Sequence, residues 1–194
     1  FIAYAFYYGK TLHSIIYNLF YTTNGIPGTP LNVCSTFIVF FIILGAFLEK
    51  TGIGNFFVDL ANSIAGWASG GPAKVAVISS ALEGMYSGSS VANTVGSGSV
   101  TIPVMKSIGY KSEFAAAVEA AASTGGQIMP PIMGAAAFLM SEITGISYPT
   151  IAIAAILPAI LYFAGIFMMI HFEAKKLGLK GLPKDSIPNF FKLF

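Results

Sequence analysis

Small hydroxylated residues and glycines interrupt two apolar stretches of this sequence, and their oxygens could bind a cation. The first interruption is Ser87-Gly88-Ser89-Ser90, within the apolar segment from Pro72 to Met105. The second is Ser-Thr-Gly-Gly-Gln at 123–127, which leads into Pro130-Pro131. Serine and glycine favour turns and caps over helix interiors, and a proline pair removes two backbone donors. Carbonyls freed at such breaks, together with hydroxyls, are hard oxygen ligands that suit a sodium ion.

The composition places these breaks inside a membrane. The chain has 194 residues, of which 55% are hydrophobic and 9% charged, and its mean hydropathy is +0.76. Soluble domains carry about 25% charged residues. We therefore predict an all-α polytopic membrane protein. Because broken backbone is tolerated at membrane depth only where it lines protein or a cavity, two facing breaks would form a polar site within the bilayer.

The remaining composition argues against several other functions. All ten basic residues are lysines, so no arginine can clamp a carboxylate or phosphate with two parallel hydrogen bonds. The net charge of +2 is too small and too scattered for a nucleic-acid surface. Cys34 is the single cysteine, and no Cys/His cluster predicts a transition-metal site. His13 and His171 lie at the ends of spans, away from the serines, so we predict no enzyme and no cofactor beyond sodium as the coupling ion.

The order of apolar and polar segments predicts seven regions. They are an apolar, aromatic helix with a periplasmic loop at 1–30, a transmembrane helix at 31–48, an interfacial amphipathic arm helix at 53–67, a re-entrant hairpin at 73–106 with its tip at 87–90, a broken transmembrane helix at 113–145 with its break at 123–131, a transmembrane helix at 149–172 and a basic cytoplasmic tail at 173–194. The chain begins at Phe1 in apolar sequence, so we expect an excised piece or an incomplete gene product.

The segment after Lys74 admits two arrangements, one long kinked helix or two short arms that meet at the serine-rich tip. Each arm would be roughly 21–23 Å long, too short to cross a bilayer alone. In the two-arm arrangement Lys74 shares a membrane face with Lys106 and Lys111, and every lysine then falls on one side. The positive-inside rule favours that arrangement, which is a hairpin entering from the cytoplasm.

Two acidic residues lie about one turn before the two breaks, Glu83 before the first and Glu119 before the second. A charged side chain at mid-membrane is a functional candidate by default. The structural alternative is that each carboxyl caps freed N–H groups or pairs with Ser, Thr or Asn side chains. We group Ser123 and Gln127 with these acids as substrate-proximal or structural polar residues. For the glycines and serines at 96–99, close helix packing is favoured over direct ligation.

Three motifs resemble a known transporter family. They are Tyr86–Asn93 (YSGSSVAN), 101–106 (TIPVMK) followed by Gly109-Tyr110, and 119–134 (EAAASTGGQIMPPIMG). They closely resemble the large membrane subunit of tripartite ATP-independent periplasmic (TRAP) transporters, and most of all the fused subunits that work with TAXI-type solute-binding proteins. The resemblance covers roughly residues 25–180.

The resemblance implies a sodium-driven secondary transporter of the bacterial or archaeal cytoplasmic (inner) membrane, with inverted repeats and an elevator-type movement. The hairpin and the broken helix would move, while the 31–48 span, the arm helix and the 149–172 span would belong to the scaffold or its connections. It also implies a periplasmic solute-binding protein that captures an organic acid. The first sodium site carries over to Ser87, Gly88, Ser89, Ser90, Asn93, Thr124, Gly125 and Gly126.

This sequence departs from the family pattern in holding one hairpin and one broken helix, where an inverted-repeat transporter needs two of each. We therefore expect one inverted repeat, whose partners are the remaining half of the membrane subunit, the binding protein, the organic-acid substrate and the bilayer, with no nucleic acid. Alone, the chain should hold half a site and show no transport. The alternative function is a channel-forming or structural membrane protein, because glycine-rich packing serves either.

Overall fold

The computed structural model describes residues 7–23, 25–183 and 187–188, and within them the regular structure is helical. The helices are α1 Leu12–Phe20, α2 Thr29–Val33, a π-helical turn Cys34–Ile38, α3 Val39–Lys50, α4 Ile53–Ala65, α5 Gly71–Ser87, α6 Ser90–Gly96, α7 Gly98–Ser107, α8 Ser112–Gly125, a 3₁₀ turn Gly126–Ile128, α9 Ala135–Thr144 and α10 Tyr148–Lys176.

Some of the predicted features lie outside the described residues. These are residues 1–6 of the first apolar helix, Asn24 of the loop after it, and 184–186 and 189–194 of the basic tail. Within the described part of the first region, the helix α1 begins with Thr11, whose hydroxyl accepts a hydrogen bond from the Ser14 N–H at 3.3 Å. A serine or threonine in this position satisfies an N–H that the first helical turn leaves without a partner.

The first long apolar helix consists of α2, the π-helical turn and α3. Residues Leu31–Lys50 have a mean hydropathy of 2.4 and are long and apolar enough to cross a membrane. Most of the large side chains of α3 are exposed, among them Phe40, Ile42 and Phe47. Exposed apolar side chains around a helix are what a lipid environment requires, since lipid tails are as apolar as leucine. The predicted helix over 31–48 thus corresponds to a helix that ends at Lys50.

The helix α4 is amphipathic and lies against the hairpin. Gly52, with φ +82°, makes the turn between α3 and α4, a backbone conformation that glycine adopts without a steric penalty. Val58, Ala61 and Ala65 are buried and pack on Val75 of α5. The helix ends two residues before the predicted end at residue 67, and its position at a membrane interface stays a prediction.

The segment from 71 to 107 is a helical hairpin and not a continuous rod. The first arm, α5, ends at Gly88, which has φ +57°. The second arm consists of α6 and α7, which are joined at Ser97. The arms lie side by side and are joined by a hydrogen bond, in which the Asn93 side-chain amide donates to the Ser80 carbonyl at 2.8 Å. That both arms enter from one membrane face stays a prediction.

The broken helix follows. It is helical in α8 and the 3₁₀ turn as far as Ile128, irregular from 129 to 134, and helical again in α9. The α-helix therefore continues through Gly125, two residues past the start of the predicted break at 123–131. The interruption of α-helical structure, which includes the 3₁₀ turn, covers 126–134. The physical reason is that Thr124 donates its hydroxyl to the Ala120 carbonyl at 2.7 Å, a bond that is compatible with helical backbone. The proline pair and not the serine–threonine pair ends the helix.

The last helix, α10, has 29 residues and a mean hydropathy of 2.4, and it is the second helix long and apolar enough to cross a membrane. It runs from one residue before the predicted 149–172 span to four residues beyond it. Ile170 and Ala174 are buried in a hydrophobic cluster with side chains from α5, α7 and α8. The Tyr162 hydroxyl donates to the Ala121 carbonyl of α8 at 2.8 Å. The hairpin, α8 and α10 thus form one packed unit.

Candidate functional site

The hairpin tip is built by one glycine and two serines in distinct roles. Gly88 takes the left-handed conformation that ends α5, which costs glycine no steric strain. Ser89 is extended and caps α6, because its hydroxyl accepts a hydrogen bond from the Ala92 N–H at 3.3 Å. Ser90 is the first residue of α6. The start of α6 is therefore held by side-chain capping at the tip.

The tip contacts the interruption of the broken helix directly. The Gln127 side-chain amide donates to the Ser90 hydroxyl at 2.8 Å. The Ile132 N–H donates to the carbonyl of Met85, two residues before the tip, at 3.4 Å. Gly88 lies against the carbonyl of Met133 so closely that a Cβ on it would collide with that oxygen. The two interrupted segments that the sequence singles out are thus neighbours in space.

Of the two adjacent glycines, Gly126 faces the hairpin and Gly125 faces away from it. Gly126 is in backbone contact with Gly84 of α5, and a Cβ on Gly126 would lie 2.9 Å from the Asn93 amide nitrogen. A Cβ on Gly125 would lie 2.5 Å from Cε1 of the Tyr162 ring on α10. Each glycine is therefore required for a close helix approach, and Gly126 is the one beside the hairpin.

Two of the predicted sodium ligands have side chains committed elsewhere. Thr124 is exposed and bonds to its own helix, so its hydroxyl is not directed at the tip. Asn93 is buried, and its amide connects the two hairpin arms while its side-chain oxygen accepts from the Ser97 hydroxyl at 3.2 Å. In this arrangement Asn93 holds the hairpin closed.

The two outer serines of the tip face different neighbours. Ser90 bonds to Gln127 of the broken helix. Ser87 lines a cavity on the other side of the hairpin, between its arms and the helices α3 and α4. The Ser87 hydroxyl oxygen is buried and has no hydrogen-bond partner among the described residues. The four-residue tip thus presents oxygens in two directions, where the sequence predicts a single site.

Glu119 joins the hairpin to α8. It is fully buried, and its Oε1 accepts hydrogen bonds from Ser97 at 2.5 Å and from Ser80 and Ser123 at 3.3 Å each. Its Oε2 accepts one from Thr101 at 2.5 Å. Four hydroxyl donors satisfy a carboxylate without a cation. This arrangement corresponds to the structural alternative, in which the carboxyl pairs with serine and threonine hydroxyls.

Sequence reasoning did not single out Ser80 and Thr101 as partners of Glu119, although the spacing contains the signal. Asn93, Ser97 and Thr101 follow one another at intervals of four residues, which places them on one helical face. Another missed feature is Tyr148, whose hydroxyl donates to the carbonyls of Pro131 at 2.8 Å and of Ile132. Its ring stacks on Phe138 with centroids 4.3 Å apart.

Comparison with known proteins identifies the family of this chain. The sequence profile of the family described as "Tripartite ATP-independent periplasmic transporter, DctM component" matches residues 1–194. The chain belongs to this DctM family. It is 30% identical over 150 residues to the C4-dicarboxylate TRAP transporter large permease protein DctM of Pseudomonas aeruginosa, a match covering 77% of this chain and 35% of that protein.

Other DctM relatives are named for different solutes. The chain is 28% identical over 155 residues to the sialic acid TRAP transporter large permease protein SiaM of Vibrio cholerae, covering 80% of this chain and 36% of the relative. It is 27% identical over 157 residues to the 2,3-diketo-L-gulonate TRAP transporter large permease protein YiaN of Escherichia coli, covering 81% and 36%. The chain therefore spans about a third of the length of the curated relatives it matches. These relatives are large permease proteins of TRAP transporters.

Proposed function

We propose that this chain is one inverted repeat of the large membrane subunit of a sodium-coupled transporter that imports organic acids delivered by a periplasmic solute-binding protein. The remaining repeat would lie in the rest of the subunit, since the chain spans about a third of its relatives. The whole subunit would cross the inner membrane several times. The likeness to TAXI-type fused subunits belongs to this proposal.

The observation that carries the proposal is the contact between the hairpin tip and the interruption of the broken helix. Gly88 lies against the Met133 carbonyl, and Ser90 accepts a hydrogen bond from Gln127. Interrupted helices that meet in this way bring backbone oxygens, hydroxyls and helix ends together, which is how many secondary transporters bind ions and anionic solutes. The names of the relatives support organic acids as the solute class.

Sodium coupling would supply enough free energy for uphill uptake. One charge moved through 100 mV contributes about 2.3 kcal/mol. A tenfold sodium gradient adds about 1.4 kcal/mol. Two sodium ions would together supply about 7 kcal/mol. In the proposed elevator movement the hairpin and the broken helix would travel as one body, a unit that the Glu119 hydrogen bonds already hold together.

The test is uptake into liposomes that contain the complete transporter, with its binding protein loaded with a C4-dicarboxylate or a sialic acid. We expect an inward sodium gradient to drive uptake that saturates with the solute. Ser90→Ala should raise the sodium concentration needed for half-maximal uptake, since its hydroxyl lies at the contact between the two interrupted segments. Thr124→Ala is the matched control, because that hydroxyl bonds to its own helix.

Two outcomes would contradict the proposal. Current that rises linearly with voltage and does not saturate would favour the channel-forming alternative. If Ser90→Ala reduced the sodium dependence of uptake and the amount of protein in the membrane to the same extent, Ser90 would have a structural role.

A further inference from the structure

Tyr148 is the first residue of α10, and its side chain reaches back past α9 to the interruption of the broken helix. Its hydroxyl donates to the Pro131 carbonyl at 2.8 Å and also lies within hydrogen-bond distance of the Ile132 carbonyl. Both carbonyls belong to the irregular segment 129–134, where no helical ladder supplies a donor. Tyr148 therefore provides from one helix a hydrogen bond that the interruption of another helix requires.

The peptide unit between Pro131 and Ile132 connects Tyr148 to the hairpin. Its carbonyl accepts the hydrogen bond from Tyr148, and its N–H donates to the Met85 carbonyl of α5 at 3.4 Å. A trans peptide unit is planar, so its C=O and its N–H point in opposite directions. Tyr148 and Met85 therefore hold opposite edges of one rigid plane.

The residues directly after this peptide unit form the contact with the hairpin tip. Met133 places its carbonyl against Gly88. The Gly134 N–H donates to the Gln127 carbonyl at 2.7 Å, and the Gln127 side-chain amide donates to the Ser90 hydroxyl. A rotation of the preceding peptide plane would displace the Met133 carbonyl, because only one residue separates them. The orientation of that plane therefore affects which oxygens the interruption presents to the tip.

The Tyr148 ring is itself held by a group of aromatic side chains. It stacks on Phe138 of α9 with centroids 4.3 Å apart and an angle of 7° between the ring planes. Phe138 is buried, and it also packs on Phe41 of α3 at 5.3 Å and on Phe37 of the π-helical turn at 5.9 Å. Such aromatic pairs favour particular geometries. The Tyr148 hydroxyl therefore has a defined position relative to the first long apolar helix as well.

The buried glutamate that lies close to this contact along the chain does not take part in it. Glu83 is buried and lies two residues before Met85 on α5. Its carboxylate oxygens lie 3.7 Å and 3.5 Å from the positions of a Cβ on Gly54 of α4 and on Gly96 of α6, on the side of the hairpin that faces the cavity. Within the described part of the chain, the side-chain hydrogen bonds to the segment 129–134 come from Tyr148.

We propose that Tyr148 is a positioning residue for the contact between the hairpin tip and the interruption of the broken helix. It acts through the peptide unit between Pro131 and Ile132 and touches neither the ion nor the solute. This role rests on the proposed function, which assigns ion and solute binding to that contact. Without the hydroxyl, one edge of the peptide plane is free. The oxygens at the contact then take up a wider range of positions and bind a cation less tightly.

The variant Tyr148→Phe tests this role, because it removes the hydroxyl and keeps the ring that stacks on Phe138. Uptake is measured in liposomes that contain the complete transporter, with its binding protein loaded with a C4-dicarboxylate or a sialic acid. We expect the sodium concentration for half-maximal uptake to rise about fivefold, the effect of one hydrogen bond. The maximal rate of uptake should change by a smaller factor.

Tyr162→Phe is the matched control. It also removes a hydroxyl that donates to a backbone carbonyl at 2.8 Å, but the acceptor is Ala121, within the regular helix α8. The control should keep the half-saturating sodium concentration of the unmodified transporter. The thermal unfolding midpoints of the two variants should fall by similar amounts, because each loses one hydrogen bond of the same kind. Only the change in sodium affinity then distinguishes a positioning role from a structural one.

Amide hydrogen exchange of the complete transporter in detergent provides a measurement that does not depend on transport. The Ile132 N–H, which is bonded to the Met85 carbonyl, reports directly on the peptide unit that Tyr148 holds. In Tyr148→Phe its exchange should be about fivefold faster, because the hydrogen bond that opposes local opening is lost. In Tyr162→Phe the exchange of the same N–H should be unchanged.

Two results would overturn the role of Tyr148 and leave the proposed function intact. Unchanged exchange of the Ile132 N–H in Tyr148→Phe would show that the hydroxyl does not hold the peptide unit. Faster exchange with an unchanged half-saturating sodium concentration would limit Tyr148 to a contribution to stability. Absence of any sodium dependence in the unmodified transporter is a separate result, which overturns the proposed function itself.

Discussion

Glu119 shows how a single buried carboxylate can hold three helices together. Its partners come from α5, from the second hairpin arm and from its own helix. Hydrogen bonds to a charged acceptor are about twice as strong as neutral ones. In a bundle whose buried hydrophobic cluster consists mostly of alanine and valine, these bonds specify how the hairpin sits on α8.

Removal of this carboxylate should destabilise the protein strongly. In Glu119→Ala, Ser97 and Thr101 can still donate to backbone carbonyls of their own helix, and Ser80 keeps the Ser97 hydroxyl at 3.4 Å. Ser123 loses its acceptor, and the removed side chain leaves a cavity among buried groups. Each buried polar group left without a partner costs about 1–3 kcal/mol. We therefore expect the free energy of unfolding to fall by about 3 kcal/mol or more. The thermal unfolding midpoint of the purified complete transporter in detergent measures this loss.

Glu113→Ala is the matched control, because Glu113 lies on the same helix and is exposed. Glu113→Ala should change the free energy of unfolding by no more than about 0.5 kcal/mol. An unfolding midpoint in Glu119→Ala equal to that of the control would show that the buried hydrogen bonds contribute little.

At the scale of helices, the hairpin and the broken helix approach each other through glycine. Gly84 of α5 and Gly126 meet backbone to backbone, and a Cβ on Gly84 would collide with the Gly126 Cα. Small residues allow such approaches in membranes, where association depends on close packing. Backbone cannot move aside as the end of a long side chain can, so this contact tolerates no added volume.

Gly84→Ala should therefore destabilise the bundle although alanine is the better helix former. The helix preference favours the variant by up to about 1 kcal/mol, whereas overpacking costs about 1–3 kcal/mol and more where the neighbour is backbone. We expect a lower thermal midpoint and less folded protein in the membrane. Gly165→Ala on α10, where nothing lies within 4 Å, should leave stability unchanged or raised. A Gly84→Ala protein as stable as Gly165→Ala would contradict the backbone contact.

The topology of the hairpin yields a separate prediction. If both arms enter from the cytoplasm, the residues that flank them share one membrane face. Trp67, which is 67% exposed, precedes the first arm, and the exposed Lys106 lies near the end of the second. With the exposed Cys34 replaced by serine, cysteines at 67 and 106 should react with an impermeant reagent from the cytoplasmic side.

A cysteine in place of Ile146, in the exposed loop between α9 and α10, serves as the reference for the other face. It should react from the periplasmic side only. Labelling of positions 67 and 106 from opposite faces would mean that the segment crosses the membrane and is not re-entrant.

The all-helical class and the approximate places of the two interruptions could be predicted from the sequence, because composition and turn residues are local signals. The serine-rich tip at 87–90 and the proline pair each coincide with a real break in α-helical structure. The directions of the side chains could not be predicted from those signals. Thr124 turns toward its own helix, and Ser87 and Ser90 face opposite neighbours, because these orientations depend on how separate helices pack.

At the scale of the whole molecule, the chain presents extensive apolar surface. Side chains such as Phe40, Phe47, Ile153 and Leu161 are more than half exposed on the two long helices. In water such a surface would be unfavourable, since contiguous apolar patches of soluble monomers seldom exceed a few hundred Å². Lipid is one environment that can cover it, and the further part of the membrane subunit that we propose would be a second.

The chain expressed alone should therefore insert into membranes without transporting. Its hairpin and broken helix would make one half of a site that we propose to be completed by a second, inverted copy of the same elements. We expect no sodium-driven uptake from residues 1–194 in liposomes, and full uptake from the complete subunit prepared in the same way. Because residues 1–194 retain the Glu119 hydrogen bonds, they should still show a cooperative thermal transition, which separates lack of function from lack of folding. Sodium-driven, saturable uptake by residues 1–194 alone would refute the need for a second repeat.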